Sequence, residues 1–194
     1  MDNMNSQSPA VSPARRRGRW ILVGLFTLFF GSMAVALLLR ASGWQPAALR
    51  NHGQLLSPPA DLRALAPRLA DGQPYQWSPV QRQWRILVAP ADGCGQRCVT
   101  LSHDLAKVWQ VLGHKADNVD VLWLGDAPAG AARFSSLRVL APQPALRERL
   151  PEVDDPAGVP VYVVDPNGFV ILRYAPGFDL AGLRADLAKL LKLK

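Results

Sequence analysis

The chain has 194 residues, 49% apolar and 19% charged, with 15 Gly, 17 Pro, 2 Cys and a formal net charge of +7. These proportions exclude a disordered tail, a disulfide-stapled miniprotein and a collagen-like fibre, each of which needs a compositional extreme that is missing here. The length suits one domain with an appendage, and the uneven position of the positive charge decides whether it signals nucleic-acid binding.

Trp20 to Leu39 contains no charged residue. At ~1.5 Å per residue such a helix spans ~30 Å, the thickness of a bilayer's hydrocarbon core, so 20–39 is predicted to be a transmembrane helix. A cleaved signal peptide fits less well. Its apolar stretch runs ~7–15 residues, and the A-x-A here, Ala34-Val35-Ala36, lies within the run and is followed at once by three leucines. Arg15, Arg16, Arg17 and Arg19 precede the segment, whereas Arg40 and then Arg50 follow it. The positive-inside rule therefore predicts that the basic N-terminus, 1–19, is cytoplasmic and that the rest lies across the membrane. The first 40 residues hold five arginines and Asp2, so the remainder carries 17 basic and 14 acidic residues, a net of +3. With its charge explained by orientation, no nucleic-acid partner is expected.

Residues 40–71 read as a juxtamembrane connector: small and turn-forming residues, then Pro58-Pro59. Leu62, Leu65 and Leu69 have helical spacing, but Pro67 confines them to one or two turns. A folded domain is expected over 72–194, beginning at the Asp71-Gly72 turn, with Tyr75 and Trp77 alternating as a short strand would. Trp84–Ala89 is predicted as a strand. After an Asp92-Gly93 turn, Cys98, Leu101, Leu105, Val108, Trp109 and Leu112 recur at helical spacing up to a stop at Gly113. Val119–Leu124 is a second strand, Leu137–Ala141 a short extended piece, and Ala145–Leu150 a short helix between Pro144 and Pro151. Val161–Val164 enters the turn Asp165-Pro166-Asn167-Gly168 and returns as Phe169–Tyr174, a hairpin. Asp179 caps a last helix with Leu180, Leu183, Leu187, Leu190 and Leu191 on one face and Lys189, Lys192 and Lys194 at its end. A βαβ start, a hairpin and a closing helix predict an α/β domain with a mixed sheet flanked by helices on both faces, in the order of the thioredoxin fold.

Both cysteines fall in Gly93-Cys94-Gly95-Gln96-Arg97-Cys98, where the first core strand meets the first long helix. One reading is a structural disulfide, which an exported location permits, although a loop of about five residues contributes only ~2 kcal/mol. The other is a reactive dithiol. A helix N-terminus stabilises a thiolate, Arg97 adds a full charge beside it, and such a thiolate attacks disulfides or binds a soft metal such as Cu(I).

Cys94 and Cys98, three residues apart after an apolar strand, and the strand-turn-strand Val161-Tyr162-Val163-Val164-Asp165-Pro166-Asn167-Gly168 carry a resemblance. From about Gly72 onward, and in its single N-terminal anchor, the chain resembles the Sco/SenC family of membrane-anchored, thioredoxin-like copper chaperones that assist cytochrome c oxidase assembly. The resemblance implies Cu(I) on Cys94 and Cys98 or redox exchange by that pair, with Cys94 as the attacking thiol. It also implies a partner that is a cytochrome c oxidase subunit or another copper or thiol assembly factor. Two departures stand out. Gly95 and Val99 occupy positions where the family usually has prolines, and Ala157 stands where it has its third copper ligand, a histidine. Of the three histidines, His103 is rotated ~140° from Cys98 on the predicted helix, His114 follows that helix, and His52 lies in the connector. Pro160, before the third strand, matches the cis-proline that faces the dithiol in thioredoxin-like reductants, and the cis form is the reading favoured over a proline that merely starts the strand.

Three functions are thus open: Cu(I) carrier, thiol–disulfide oxidoreductase, and non-catalytic scaffold of a respiratory complex with a structural disulfide. The expected location is the bacterial inner membrane, single-pass, with the C-terminal domain in the periplasm.

Overall fold

The computed structural model describes residues 13–42, 51–91 and 93–192, with side chains from Gly18 onward. Asp92 of the expected turn, Arg50, Lys194 and the side chains of Arg15, Arg16 and Arg17 lie outside the described residues. The chain divides into two units, Met1–Leu49 and Arg50–Lys194.

The first unit contains helix α1, Pro13–Ala41. Its stretch Gly18–Ala41 is long and apolar enough to cross a membrane, with a mean hydropathy of 2.4 and none of that window buried by protein. Trp20, Leu25, Phe29 and Leu38 are all exposed. A helix apolar all round and uncovered by protein suits a lipid surrounding.

The second unit is built on a six-stranded sheet: β1 (Gln54–Asp61), β2 (Trp84–Val88), β3 (Val119–Leu124), β4 (Leu137–Leu140), β5 (Val161–Val164) and β6 (Phe169–Tyr174), in the order β1-β6-β5-β2-β3-β4. β2, β3 and β4 run parallel, whereas β5 is antiparallel to β2 and to β6, and β6 to β1. Parallel β2 and β3 require a crossover, supplied by α2 (Gln96–Val111). The β5–β6 reversal is held by Asp165, whose Oδ1 accepts from the N–H groups of Asn167, Gly168 and Phe169 at 2.8–2.9 Å. α3 (Pro144–Arg147) and α4 (Leu180–Leu190) complete the unit. Asp179 caps α4 as expected, accepting from Ala181 and Gly182.

Alternation along the strands sends side chains to two cores. On one face α2 and α4 cover Ile86, Val88, Val121, Trp123, Val163 and Leu172. On the other, Leu87, Leu122, Leu140, Tyr162, Val164 and Val170 are covered by Leu146 and Leu150 and by residues that precede β2: Leu62, Leu65, Leu69, Tyr75 and Trp77. The expectation of a connector over 40–71 and a domain beginning at 72 is therefore corrected. β1 pairs with β6, and Leu62 is fully buried. The reason is the short α3: four residues cannot cover a sheet face, and the earlier segment supplies the missing apolar surface. Tyr75 and Trp77 form no strand; they close the lid of this layer, stacked edge to face at 5.9 Å.

Two buried ions fix these early segments. Arg85 on β2 is 1% exposed. Its Nε donates to Tyr75 Oη at 2.9 Å and its Nη1 to the carbonyls of Asp165 and Pro166 at 3.1 Å, while its guanidinium carbon lies 5.2 Å from the Trp77 ring centre. Tyr75 in turn donates to Asp120 at 2.8 Å. Burial first, and then the Asp120 charge, pushes the Tyr75 phenol above its ordinary range.

Asp186 on α4, 2% exposed, is the second ion. Its Oδ2 accepts from His52 N at 2.6 Å, Gly53 N at 3.1 Å and Tyr174 Oη at 2.9 Å; its Oδ1 takes His52 Nδ1 and Lys189 Nζ at 3.2 Å. The segment can lie this close because residue 182 is glycine: a Cβ there would come within 2.7 Å of the His52 Cβ. Burial raises the Asp186 carboxyl, but the bonds from Gly53, Tyr174 and His52 outweigh it and bring it down to about 2.

A carboxylate lowered from 3.8 to about 2 binds its proton more readily in the unfolded chain. Its contribution, on the order of 2 kcal/mol, is complete above about pH 4 and lost as pH falls through about 2. Asp186→Asn is expected to lower stability at pH 7 by about 2 kcal/mol and to flatten the loss between pH 4 and pH 2; urea denaturation followed by tryptophan fluorescence at several pH values measures both.

Candidate functional site

β2 is buried at every residue and continues into Ala89, 1% exposed, before the chain turns at Pro90 toward the cysteines. The start of this loop is clamped from α3. Arg147 Nη1 donates to the carbonyls of Ala89 at 2.6 Å and Pro90 at 2.9 Å, and Nη2 donates to Asp154 Oδ1 at 2.6 Å.

Cys94 and Cys98 are joined by a disulfide, Cα to Cα 5.6 Å. Gly95 is the N-cap of α2 with φ 55° and ψ −133°, and its carbonyl accepts from Cys98 N at 3.1 Å and Val99 N at 3.3 Å. That backbone conformation belongs to glycine, and a proline, fixed near φ −65°, cannot adopt it. The loop of this chain is thus held differently from one with proline after the first cysteine. No side chain caps α2, so the positive end of its dipole faces the sulfurs. Cys98 is 1% exposed and packs into the α2 core, whereas Cys94 is half-buried. The pair is asymmetric in burial, with Cys94 the less buried of the two residues.

Beside the pair is a cleft of about 690 Å³, lined by both cysteines, Trp123, Asp126, Gln143, Arg147 and Asp154 among others. Trp123, 1% exposed, forms part of its wall and donates to Asp126 O at 3.3 Å. A smaller hollow of about 320 Å³ separates the outer side of α2, at Arg97 and Leu101, from Gly158, Val159 and Phe178.

Pro160 is buried one residue beyond the Val88–Val161 pair, so it sits at the end of the sheet from which the cysteine loop emerges. Among the described residues the cis peptide bond is Ser57–Pro58. Val159–Pro160 is trans, which corrects the expected cis-proline. Gly158, at φ +147°, bends the chain before β5, and Pro160 then enters the strand with its ordinary φ, as a strand-initial proline does.

The histidines are placed elsewhere. His52 is bound to Asp186, His103 Nε2 lies 3.1 Å from the Gly130 carbonyl, and His114 is exposed in the 3-10 turn Gly113–Asn118. Ala157 is exposed. Among the described residues, no group of three or more His, Cys, Asp or Glu side chains is arranged to hold a metal. Among the described residues, the donors at this site for Cu(I) are the two cysteine sulfurs, once reduced, with no histidine beside them.

Arg147 and Asp154 were not legible as site residues. An arginine in a short helix with an aspartate seven residues later carries no local pattern; only the meeting of α3 with the end of β2 reveals the clamp.

The family model described as "Transmembrane-like, thioredoxin-like, C-terminal domain" matches residues 84–194, more than half of the chain. The chain belongs to this family. No curated protein sequence matches it. Among solved structures, copper-bound yeast Sco1 is similar at a TM-score of 0.53 and 14% identity, over 66% of this chain and 90% of that one. Apo Sco1 from Thermus thermophilus is similar at 0.52 and 20% identity, over 77% and 100%. At these identities the likeness is one of fold, and with the family model it shows a thioredoxin-like domain.

Gly95→Ala is expected to destabilise the oxidised domain by about 1–2 kcal/mol through backbone strain at positive φ, and Gly95→Pro by more. Denaturation midpoints of the two variants, compared with Gln96→Ala as a neighbouring control, check this.

Proposed function

We propose that the chain is a single-pass membrane protein whose exported domain carries out thiol–disulfide exchange through Cys94 and Cys98, keeping the cysteines of an oxidase assembly partner reduced. The observation that carries this reading is the asymmetric disulfide: a half-buried Cys94 ahead of a helix N-terminus and a Cys98 sealed in the core. A staple gains nothing from exposing one sulfur beside a cleft. An exchange pair requires it.

In the reduced state the Cys94 thiolate attacks one sulfur of the partner's disulfide. That S–S bond breaks, the other partner sulfur leaves as a thiolate and takes up a proton, and a Cys94–partner mixed disulfide remains. Cys98, deprotonated, then attacks the Cys94 sulfur and releases the second partner thiol. The partner gains two electrons, and the chain ends with Cys94–Cys98 oxidised. Copper in this scheme is the cargo of the partner's cysteines. The link to cytochrome c oxidase assembly rests on the Sco/SenC resemblance, and the periplasmic side of a bacterial inner membrane on the arginines before α1.

The full-length protein in detergent is expected to equilibrate reversibly with glutathione redox buffers. Cys98→Ser should accumulate a mixed disulfide and Cys94→Ser should form none. A pair that does not exchange refutes the reading. Retention of one Cu(I) per chain under reducing conditions, lost in both serine variants, would replace it with a carrier.

The topology has its own test. After reduction, a membrane-impermeant maleimide should label Cys94 in intact spheroplasts; labelling only after lysis would reverse the orientation.

A further inference from the structure

We infer that Arg147 is the positioning residue of the dithiol: together with Asp154 it fixes the start of the cysteine loop and sets the charge that the Cys94 sulfur meets. This rests on the exchange reading above for its purpose, but not for its measurement.

Two independent observations support it. The first is geometric. One guanidinium nitrogen bridges the consecutive carbonyls of Ala89 and Pro90, and the other is held by Asp154. Ala89, 1% exposed, directly follows the last residue of β2, so the clamp acts where the sheet gives way to the loop. Two carbonyls turned toward one nitrogen need a cation to offset their dipoles, and the planar fork of arginine reaches both them and a carboxylate at once. The second is electrostatic. Arg147 lines the same cleft as Cys94 and Cys98, and its side chain is only 25% exposed, so solvent screens it incompletely. Among the described residues, the charged groups lining the cleft are Arg147 from α3, Asp154 from the segment after it and Asp126 from the segment after β3, and Arg97 stands on α2 itself, next to Cys98 in the chain. Arg147 is the cation lining the cleft among the described residues, and Asp154, 77% exposed, partly neutralises it. Removing either partner therefore changes the field at the sulfur in opposite senses.

The opposite signs separate this role from a purely structural one. In the full-length chain carrying Cys98→Ser, the only thiol is Cys94, and its pKa is read from the pH dependence of iodoacetamide alkylation. Adding Arg147→Met is expected to raise the midpoint by about half a pH unit, roughly threefold less thiolate below the midpoint, and Asp154→Asn to lower it. Arg147→Lys should restore the midpoint toward that of the parent while leaving the urea midpoint reduced, because an ammonium keeps the charge and loses the fork.

Midpoints that move in the same direction in Arg147→Met and Asp154→Asn, or that do not move, overturn the inference. Should Arg147→Met fail to fold, as judged by circular dichroism, Asp154→Asn decides alone: a lowered midpoint supports the role and an unchanged or raised one overturns it. Alkylation needs no exchange activity, so this result stands apart from the glutathione equilibrium of the native chain. In that equilibrium, with both cysteines present, Arg147→Met should favour the disulfide, since a less stable thiolate disfavours the reduced form.

Discussion

Strand β2 has no free side. It is paired along its length with β3 and from Arg85 onward with β5, its side chains enter both cores, and all five of its residues are buried. Its end is consequently fixed by the whole domain: Val88 is the last residue of both ladders and lies in one core, and Ala89 after it lies in the other. The cysteine loop starts at that fixed point and finishes in the first turn of α2, whose Cys98 is itself part of the core. The disulfide thus ties Cys94 of the loop to Cys98 in the first turn of α2.

Ion pairing does for the loops what the ladders do for the strands. Arg85 ties the covering segment of Tyr75 and Trp77 to β2, and Asp186 ties residues 52–53 to α4. A third buried ion, Arg173 on β6, 4% exposed, pairs with Asp155 at 2.6 Å and Glu152 at 3.0 Å. The Ala157 N–H and then Arg173 hold the Asp155 carboxyl below its usual range. This anchors the stretch that contains Asp154, and so the far side of the Arg147 clamp. Buried ions are costly unless every bond is made. Arg85 and Arg173 join irregular segments to the sheet and Asp186 joins one to α4, with the Arg173 Nε left as a buried donor without a partner.

The regular elements were legible because their signals are local. The period of Cys98 to Leu112, the apolar runs of β2, β3 and β5, the Asp-Pro-Asn-Gly turn and the Asp179 cap all depend on near neighbours, and each was placed within a few residues. β1 was not legible: Ser57-Pro58-Pro59 reads as punctuation, and its register with β6 is broken between Leu55 and Ala60, so no alternation survives. Nor could the sequence reveal that Leu62, Leu65 and Leu69 cover a sheet rather than line a helix. The cysteine pair stood out from position alone, whereas the trans bond at Pro160 and the Arg147 clamp depend on residues distant in the chain.

The strength of the disulfide as a crosslink bears on its purpose. Closing a loop of about five residues contributes roughly 2 kcal/mol at most, whereas Leu105, Val108, Val121, Trp123, Leu183 and Leu187 alone place six large side chains in one core, each stabilising by about 1.5–3 kcal/mol. Packing therefore supplies more of what holds this core together than the crosslink does. A fold held chiefly by packing is expected to survive reduction of the pair, as cycling between dithiol and disulfide requires. The histidine usage agrees: His52 is committed to Asp186 and His103 lies against the Gly130 carbonyl, both supporting structure, and neither joins the cysteines. The site brings together two cysteines of unequal burial beside a cleft, where the fixed end of β2 passes into α2, and the exchange proposed above uses those two sulfurs without calling on a third ligand.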